Sequence, residues 1–237
     1  MSPDCASAPT LILTRPKAAS LRFAEGFRRR VRLVISPLIE IEKVDAAYSP
    51  AEVVIFSSRN AVESSRDLPD CVKRRAYCVG AATAAAAKRA GFEVLGVAET
   101  AASLEQVLRA AAPRGPLLHL RGDVVAYPLA ERLNQAGIET NQAVIYRQSP
   151  QPMTDEAREV LASGRPCIAP LFSPRSARLF AEAMRGDHPA LTLIAMSDAV
   201  ARACDGLIVK EIRTASAPDA QAMRQMIEEV LGDNESG

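Results

Sequence analysis

Short apolar runs of strand length alternate along this chain with amphipathic or alanine-rich segments, the pattern of α/β units built on parallel sheets. The strand candidates are TLILT from Thr10, VRLVIS from Val31, VVIFS from Val53, AYCVG from Ala76 and FEVLGV from Phe92. PLLHL from Pro116, LFS ending at Ser173, LTLIAMS from Leu191 and LIVKEI from Leu207 complete the series. Helical segments between them include AASLRFAEGFRRR, AATAAAAKRAG, AASLEQVLRAA, AYPLAERLNQAG and DAQAMRQMIEEVLG. Gly91 and Gly137 end two of these, as helix C-terminal caps do.

The pattern repeats. IFSSRNAV and LFSPRSAR are separated by the same interval as YCVGAATAAAAKRAG and LIAMSDAVARACDG, the interval from Phe56 to Phe172 and from Val79 to Ala195. LILTRP and LLHLRG form a looser third pair at a shorter interval, from Arg15 to Arg121. The chain therefore reads as two copies of one α/β domain. Two further stretches, SPLIEIEKV after Ile35 and NQAVIYRQSPQP beyond Glu139, are β-prone and flanked by proline. They read as strands that leave one domain and enter the other.

Composition narrows the class. With 237 residues, 48% apolar and 24% charged, the chain has the balance of a soluble globular protein of two modest domains. No apolar run approaches the length of a membrane span. The segment MSPDCASAPT has neither the basic region nor the apolar core of a leader, so the cytoplasm is the expected compartment. Formal net charge is +1, and the one basic block, FRRRVR, reads as a solvated helix end. With no Trp, four Tyr and six Phe there are few rings on which bases stack, so nucleic acid is not an expected partner. The cysteines, Cys5, Cys71, Cys78, Cys167 and Cys204, are scattered without a C-x-x-C pair, and only His119 and His188 are present to assist them. Neither a zinc site nor a disulfide framework is expected. His119, inside LLHL, reads as a satisfied core or strand-end histidine, and His188 as a loop residue.

Familiar catalytic signatures are missing: GAATAA keeps only the first glycine of a dinucleotide fingerprint, and no phosphate-binding loop, nucleophile elbow or H-E-x-x-H is present. What remains is positional. Ligands of open parallel sheets bind beyond the carboxyl ends of the strands, where this chain places Arg15, Arg59, Arg121, Arg147 and Arg175. Guanidinium groups pair with carboxylates in a bidentate geometry, so this set points to an anionic ligand, with one or two of its members capping helices or forming structural ion pairs. If VVIF is a strand and NAVESSRDL begins a helix, Ser57 or Ser58 caps that helix, and its first-turn N–H groups form an anion site. Gly80, with Ala81 and Ala82, forms a second turn that a ligand can approach closely, with the Thr83 hydroxyl near by.

Taken in order, LILTRP, VVIFSSRNAV, YCVGAATAAAAKRAGFEV, LLHLRGD with LAERLNQAGIE, AVIYRQ and LFSPRSAR resemble the uroporphyrinogen-III synthase family over Thr10 to Leu231. The resemblance implies two similar domains with parallel sheets flanked by helices, joined by a two-stranded antiparallel β-ladder, with an interleaved chain and the active cleft between the domains. Residues 1–36 and 153–237 then form one domain, 45–140 the other, and 37–44 and 141–152 the linker strands. It also implies a lyase that closes the linear tetrapyrrole hydroxymethylbilane to uroporphyrinogen III, with inversion of the last ring and loss of water, using neither cofactor nor metal. Tyr146 matches the family's tyrosine of the second linker strand, a candidate proton donor or amphipathic anchor. Ser57, Ser58, Asn60, Thr83, Arg121, Asp123, Ser173 and Ser176 match as substrate-positioning candidates, beside Arg15, Arg59, Gly80 and Arg175. The chain departs from the family at MSDAVA, where Ser197 and Asp198 stand in place of a glycine turn with threonine hydroxyls; Ser197 still suits an N-cap. FSPRSA likewise replaces the commoner F-T-S-P-S. A monomer is expected. Two rival readings remain: a non-catalytic two-domain binding protein or sensor for an acidic small molecule, and a tandem nucleotide-dependent oxidoreductase, which lacks its glycine fingerprint.

Overall fold

A computed structural model describes residues 9–27, 31–184 and 186–233. The elements run β1 (Thr10–Leu13), α1 (Lys17–Ala24), β2 (Arg32–Ile35), β3 (Ile39–Lys43), β4 (Val53–Phe56), α2 (Arg59–Ser64), β5 (Arg75–Val79), α3 (Ala81–Arg89), β6 (Glu93–Ala98) and α4 (Ala101–Ala111). They continue with β7 (Leu117–Gly122), α5 (Leu129–Gln135), β8 (Thr140–Pro150), α6 (Asp155–Ala162), β9 (Cys167–Leu171), α7 (Pro174–Ala183), β10 (His188–Ala195), α8 (Asp198–Arg202), β11 (Val209–Thr214) and α9 (Ala220–Asp233). Every strand candidate is a strand within a residue or two, apart from LFS, whose strand ends earlier, at Leu171, and LTLIAMS, whose strand starts three residues earlier, at His188. The helix expected to run through Arg30 ends at Ala24, and Arg28–Arg30 lie outside the described residues. His188 is the first residue of β10 rather than a loop residue, with Nδ1 3.3 Å from the Leu161 carbonyl.

The chain divides into two compact units: a split unit of the described residues up to Glu40 and from Pro150 onward, and a middle unit, Ile41–Ser149. The middle unit's sheet has the order β3-β8-β7-β4-β5-β6, and the split unit's β11-β10-β9-β1-β2. From β8 to β6, and from β2 to β11, the pairings are parallel. Laid side by side, β8-β7-β4-β5-β6 matches β2-β1-β9-β10-β11. One copy is therefore permuted: β1 and β2, at the chain's start, fill the places that β7 and β8 fill at the end of the middle unit. That is why LILTRP and LLHLRG pair at a different interval from the other repeats.

The crossings between the units are β3 and β8, and both unit boundaries fall inside them. Val44 donates its N–H to the Ile145 carbonyl and Gln151 to the Leu38 carbonyl, so positions ascend on one strand as they descend on the other. The two strands form an antiparallel ladder.

In the middle unit, Val54 and Phe56 on β4 and Leu118 and Leu120 on β7 face α2 and α3, in a core with Ala61, Val62, Ala84 and Ala87. Val53, Ile55 and Leu117 face the other way, onto Leu104 and Leu108 of α4 and Leu129 and Leu133 of α5. This alternation, buried on both faces, is what a parallel sheet requires. The split unit has the same two-sided core, Ile12 and Leu171 on one face and Leu11, Leu13 and Ile227 on the other. α6 is short and charged, and Ala157, Val160 and Leu161, at helical spacing, are its buried face. Thr154 caps its Ala157 N–H, and Asp155 and Glu156 complement its first turn.

Glu105 on α4 is buried, yet its carboxylate accepts from Arg132 Nε at 2.6 Å, Arg109 Nε at 2.9 Å and the Tyr127 hydroxyl at 2.5 Å. These donors, Arg132 and Tyr127 foremost, hold its carboxyl down to about 2, and they tie α4 to α5. A carboxyl depressed below its ordinary value stabilises the fold fully above about pH 4.5 and loses that contribution as the pH falls toward 2. Glu105→Gln should therefore lower the Tm by roughly 5 °C at pH 7. Its deficit relative to wild type should shrink steadily between pH 4.5 and the lowest pH at which the protein folds, measured by thermal unfolding followed by circular dichroism.

Candidate active site

The carboxyl edge of the middle unit's sheet brings together hydroxyls from β4 and β8, on either side of β7. β4 ends at Phe56, and the chain turns through Ser57 into α2, whose N-cap is Ser58. Ser58 Oγ accepts from the Ala61 N–H at 3.1 Å and lies 2.8 Å from the Tyr146 hydroxyl. Tyr146 belongs to β8, with β7 between it and β4. Two features of the backbone bring its ring across. The β7–β8 register shifts by one residue, from Arg121↔Val144 to Gly122↔Tyr146, and such a bulge re-aims the side chains that follow it. Gly122 then leaves the ring its room: a Cβ there would lie 2.6 Å from Tyr146 Cζ and 2.9 Å from its oxygen. Asp123 secures the arrangement, its N–H donating to the Tyr146 carbonyl at 3.1 Å while its carboxylate accepts from the Gln148 N–H at 3.2 Å. Burial pushes the Tyr146 phenol above its ordinary value, against hydrogen bonds from Ser58 and Gln148. The phenol is therefore protonated at neutral pH.

On the other face of the same edge, Ser57 Oγ lies 3.0 Å from His119 Nε2. His119 shares the face of Leu117 on β7 and is 4% exposed. Burial, and then the neighbouring Arg121, push its imidazole down to about 4, so the ring is neutral at working pH.

The other candidates fall into distinct settings. Arg59 and Asn60 occupy the first turn of α2, half-buried. α2 has only six residues, so its dipole is small and side chains, rather than a helix terminus, define this turn. Gly80 caps the nine-residue α3 at φ +82°, a conformation that favours glycine, and the space over its Cα is open. Thr83 is buried in the first turn of that helix. Arg121 is partly committed to its own sheet, Nε donating to Gln142 Oε1 at 2.9 Å and Nη1 to the Gly122 carbonyl at 2.7 Å. Arg147 follows Tyr146 and is exposed.

In the split unit, Arg15 lies over the Phe172 ring, 4.3 Å from its centroid. Ser173 and Ser176 form a capping box on α7, each hydroxyl accepting the other's N–H, with Arg175 between them. Those hydroxyls are engaged as caps, in contrast to Ser58, which also reaches a second side chain. Ser197 stands at the cap position of α8 without a capping bond from its hydroxyl. Equivalence by sequence interval pairs Ser57 with Ser173, but by position at the helix start it is Ser58 that matches Ser173.

Other chemistry lies elsewhere. Burial pushes the Cys78, Cys167 and Cys204 thiols up to about 11, unsuited to nucleophilic work. Among the described residues no group of three or more His, Cys, Asp or Glu side chains is arranged to hold a metal ion. A cavity of about 540 Å³ opens among Met153, Arg158, Met184 and His188, at the strand starts of the split unit and at the opposite edge from the candidates. Gly122 and His119 are the participants that pattern reasoning missed. A glycine at a strand's end is a signal of close backbone approach; the role of His119 carries no signal without the register.

Two like parallel sheets with polar groups at their strand ends define an α/β protein whose ligands belong at the carboxyl edge. The family model Uroporphyrinogen-III synthase HemD matches residues 24–225. Among solved structures, the chain is similar to uroporphyrinogen-III synthetase from Helicobacter pylori, with 17% identity, 94% of this chain and 99% of that chain covered, and a TM-score of 0.67. It is also similar to a mutant uroporphyrinogen III synthase from Thermus thermophilus, with 16% identity, 95% and 100% covered, and a TM-score of 0.54. At these identities the likeness is one of fold. No curated protein matches the chain in sequence. The family match spans most of the chain: it belongs to the uroporphyrinogen-III synthase family. It is a lyase of tetrapyrrole biosynthesis, which closes hydroxymethylbilane to uroporphyrinogen III with loss of water. The sensor reading is set aside.

Gly122→Ala should push the Tyr146 ring off β7, costing about 1–3 kcal/mol of stability and on the order of a hundredfold in kcat/KM. Denaturant titration and the isomer-resolved cyclisation assay check this. In a Tyr146→Ala background the same substitution should cost almost no further stability, because the clash is gone.

Proposed function

We propose that the enzyme handles hydroxymethylbilane with the carboxyl edge of the middle unit, with Tyr146 as proton donor to the departing hydroxyl. The observation that carries this reading is the 2.8 Å contact between Tyr146 and Ser58 at that edge. Ser58 Oγ already accepts from Ala61. If it gives its own hydrogen to the phenol oxygen, the phenol's hydrogen is left to point at substrate. That proton leaves with the hydroxyl as water, and the terminal ring attacks the methylene left behind through its substituted carbon, giving a spiro intermediate. The bond from that carbon to its original bridging methylene then breaks, the freed methylene closes onto the ring's other α-carbon, and the proton lost from that carbon on re-aromatisation restores the phenol. A phenol is a weak acid, so its share of the rate is modest, on the order of a hundredfold. Positioning does the rest, because the free substrate closes unaided to the wrong isomer.

The substrate's carboxylates are met by Ser57, Arg59 and Asn60 on α2's first turn and by the Ala81 and Ala82 N–H groups beneath the open space at Gly80. Thr83 supports that turn from inside. Arg121 offers the part of its guanidinium not held by Gln142 and the Gly122 carbonyl. From the split unit, Arg15, Arg175 and the Ser197 hydroxyl are the candidates, with Ser173 and Ser176 setting the turn that presents Arg175. The reaction needs neither metal nor organic cofactor from this set of groups. The domains are taken as residues 1–36 with 153–237, and 45–140, joined by 37–44 and 141–152. The enzyme is taken to act as a monomer in the cytoplasm, and sedimentation at the mass of one chain checks the first of these.

Freshly made hydroxymethylbilane incubated with the protein should give, after oxidation, predominantly the type III porphyrin; type I alone would sink the assignment. Tyr146→Phe should keep the wild-type Tm within a few degrees and lower kcat by about a hundredfold. Burial raises the phenol pKa from its ordinary value, which moves any loss of activity from its ionisation further into the alkaline range, so wild-type kcat should show no Tyr146 limb around neutral pH. An unchanged rate in Tyr146→Phe would remove its acid role.

A further inference from the structure

We propose that His119 is a positioning residue for this reaction, holding the Ser57 hydroxyl in place at the substrate-binding edge of the middle unit. The inference rests on Ser57 acting as a substrate ligand. His119 is the third residue of β7, directly beside Ile55 of β4 in the parallel register. Ser57 lies two residues beyond Ile55, on the same face, and its Oγ is 3.0 Å from His119 Nε2. Toward the strand starts the face beside the histidine is apolar, Val53, Ile55 and Leu117, closed by α4 and α5, while on its other side Arg121 is paired with Gln142, the register partner of His119 on β8. An aliphatic residue would fill such a place at less cost in desolvation, and a buried polar side chain persists where it has a partner.

The two serines divide the work. Ser58 carries the cap of α2 and the contact with Tyr146. Capping does not require Ser57, so the bond to His119 is what fixes its rotamer. Because the ring is neutral across the working range, one of its nitrogens donates and the other accepts, and the bond adds no charge beside the carboxylates of the substrate. A hydroxyl already held in one orientation loses less conformational freedom when a ligand binds. That saving acts on the bound substrate and transition state alike, so it appears in KM.

The experiment compares Ser57→Ala, His119→Leu, His119→Gln and the Ser57→Ala/His119→Leu double variant by thermal unfolding, kcat, KM and isomer ratio on hydroxymethylbilane. His119→Leu should raise KM by roughly five- to tenfold, the loss of one hydrogen bond, with kcat within about twofold and a larger type I fraction. Gln places a neutral amide near the position of Nε2, so His119→Gln should recover most of the loss, and it stands in should the leucine variant not fold. The double variant should be no worse than Ser57→Ala alone. A wild-type KM in His119→Leu, or penalties that multiply in the double variant, would overturn the proposal. So would a KM in His119→Gln as poor as that of Ser57→Ala. If Ser57→Ala itself has wild-type kinetics, the ligand role of Ser57 falls and takes the proposal with it; if only the His119 variants are silent, that role stands.

Discussion

The phenol of Tyr146 reaches Ser58 because β7 carries no side chain at Gly122. A single methyl group there would occupy space that the ring now fills, 2.6 Å from Cζ, and close-packed interiors do not absorb an overlap of that size without moving something. The neighbouring details follow from this one approach. The bulge between β7 and β8 turns Tyr146 toward the α2 face, Asp123 fastens β8 to the end of β7, and Ser58 completes both a helix cap and the contact with the phenol. Three strands converge on one pair of hydroxyls.

The sheet's two faces give that edge two different polar pairs. Ser58 and Tyr146 sit on the side of α2 and α3, Ser57 and His119 on the side of α4 and α5. Consecutive residues of an extended chain point to opposite faces, so two adjacent serines at a strand's end are enough to furnish both. In the split unit the corresponding serine is followed at once by Pro174, and its hydroxyl is spent on a capping box with Ser176. The same turn, copied, has kept its capping role there, with both serine hydroxyls turned on each other.

Much of the architecture was legible beforehand. Apolar runs such as VVIF and LIL read as buried strands because both faces of a parallel sheet are covered, and Gly91 and Gly137 marked helix ends because left-handed backbone favours glycine. α6 carried a signal too, in the capping Thr154 and in Ala157, Val160 and Leu161 at helical spacing, but the stripe is only three residues long within a charged segment. Among the site residues, Ser57, Ser58, Asn60 and Tyr146 were indicated by motif. Arg121 was indicated as well, yet part of its guanidinium serves Gln142 and the Gly122 carbonyl, partners that lie on another strand or within the turn and leave no mark on local pattern.

What the sequence alone determined is what is local and periodic: the two copies of an α/β unit, the strands that end in hydroxyl-bearing turns, and the motif order that resembles a tetrapyrrole synthase. These follow from repeat, alternation and turn chemistry, which act over a few residues. What only the tertiary structure decided is which polar groups meet. The permuted strand order, the one-residue bulge on β8, the demand for glycine at position 122 and the partnership of Ser57 with His119 depend on register between strands far apart in the chain. Register is fixed by packing both faces of the sheet at once, and no stretch of the sequence read alone contains that information.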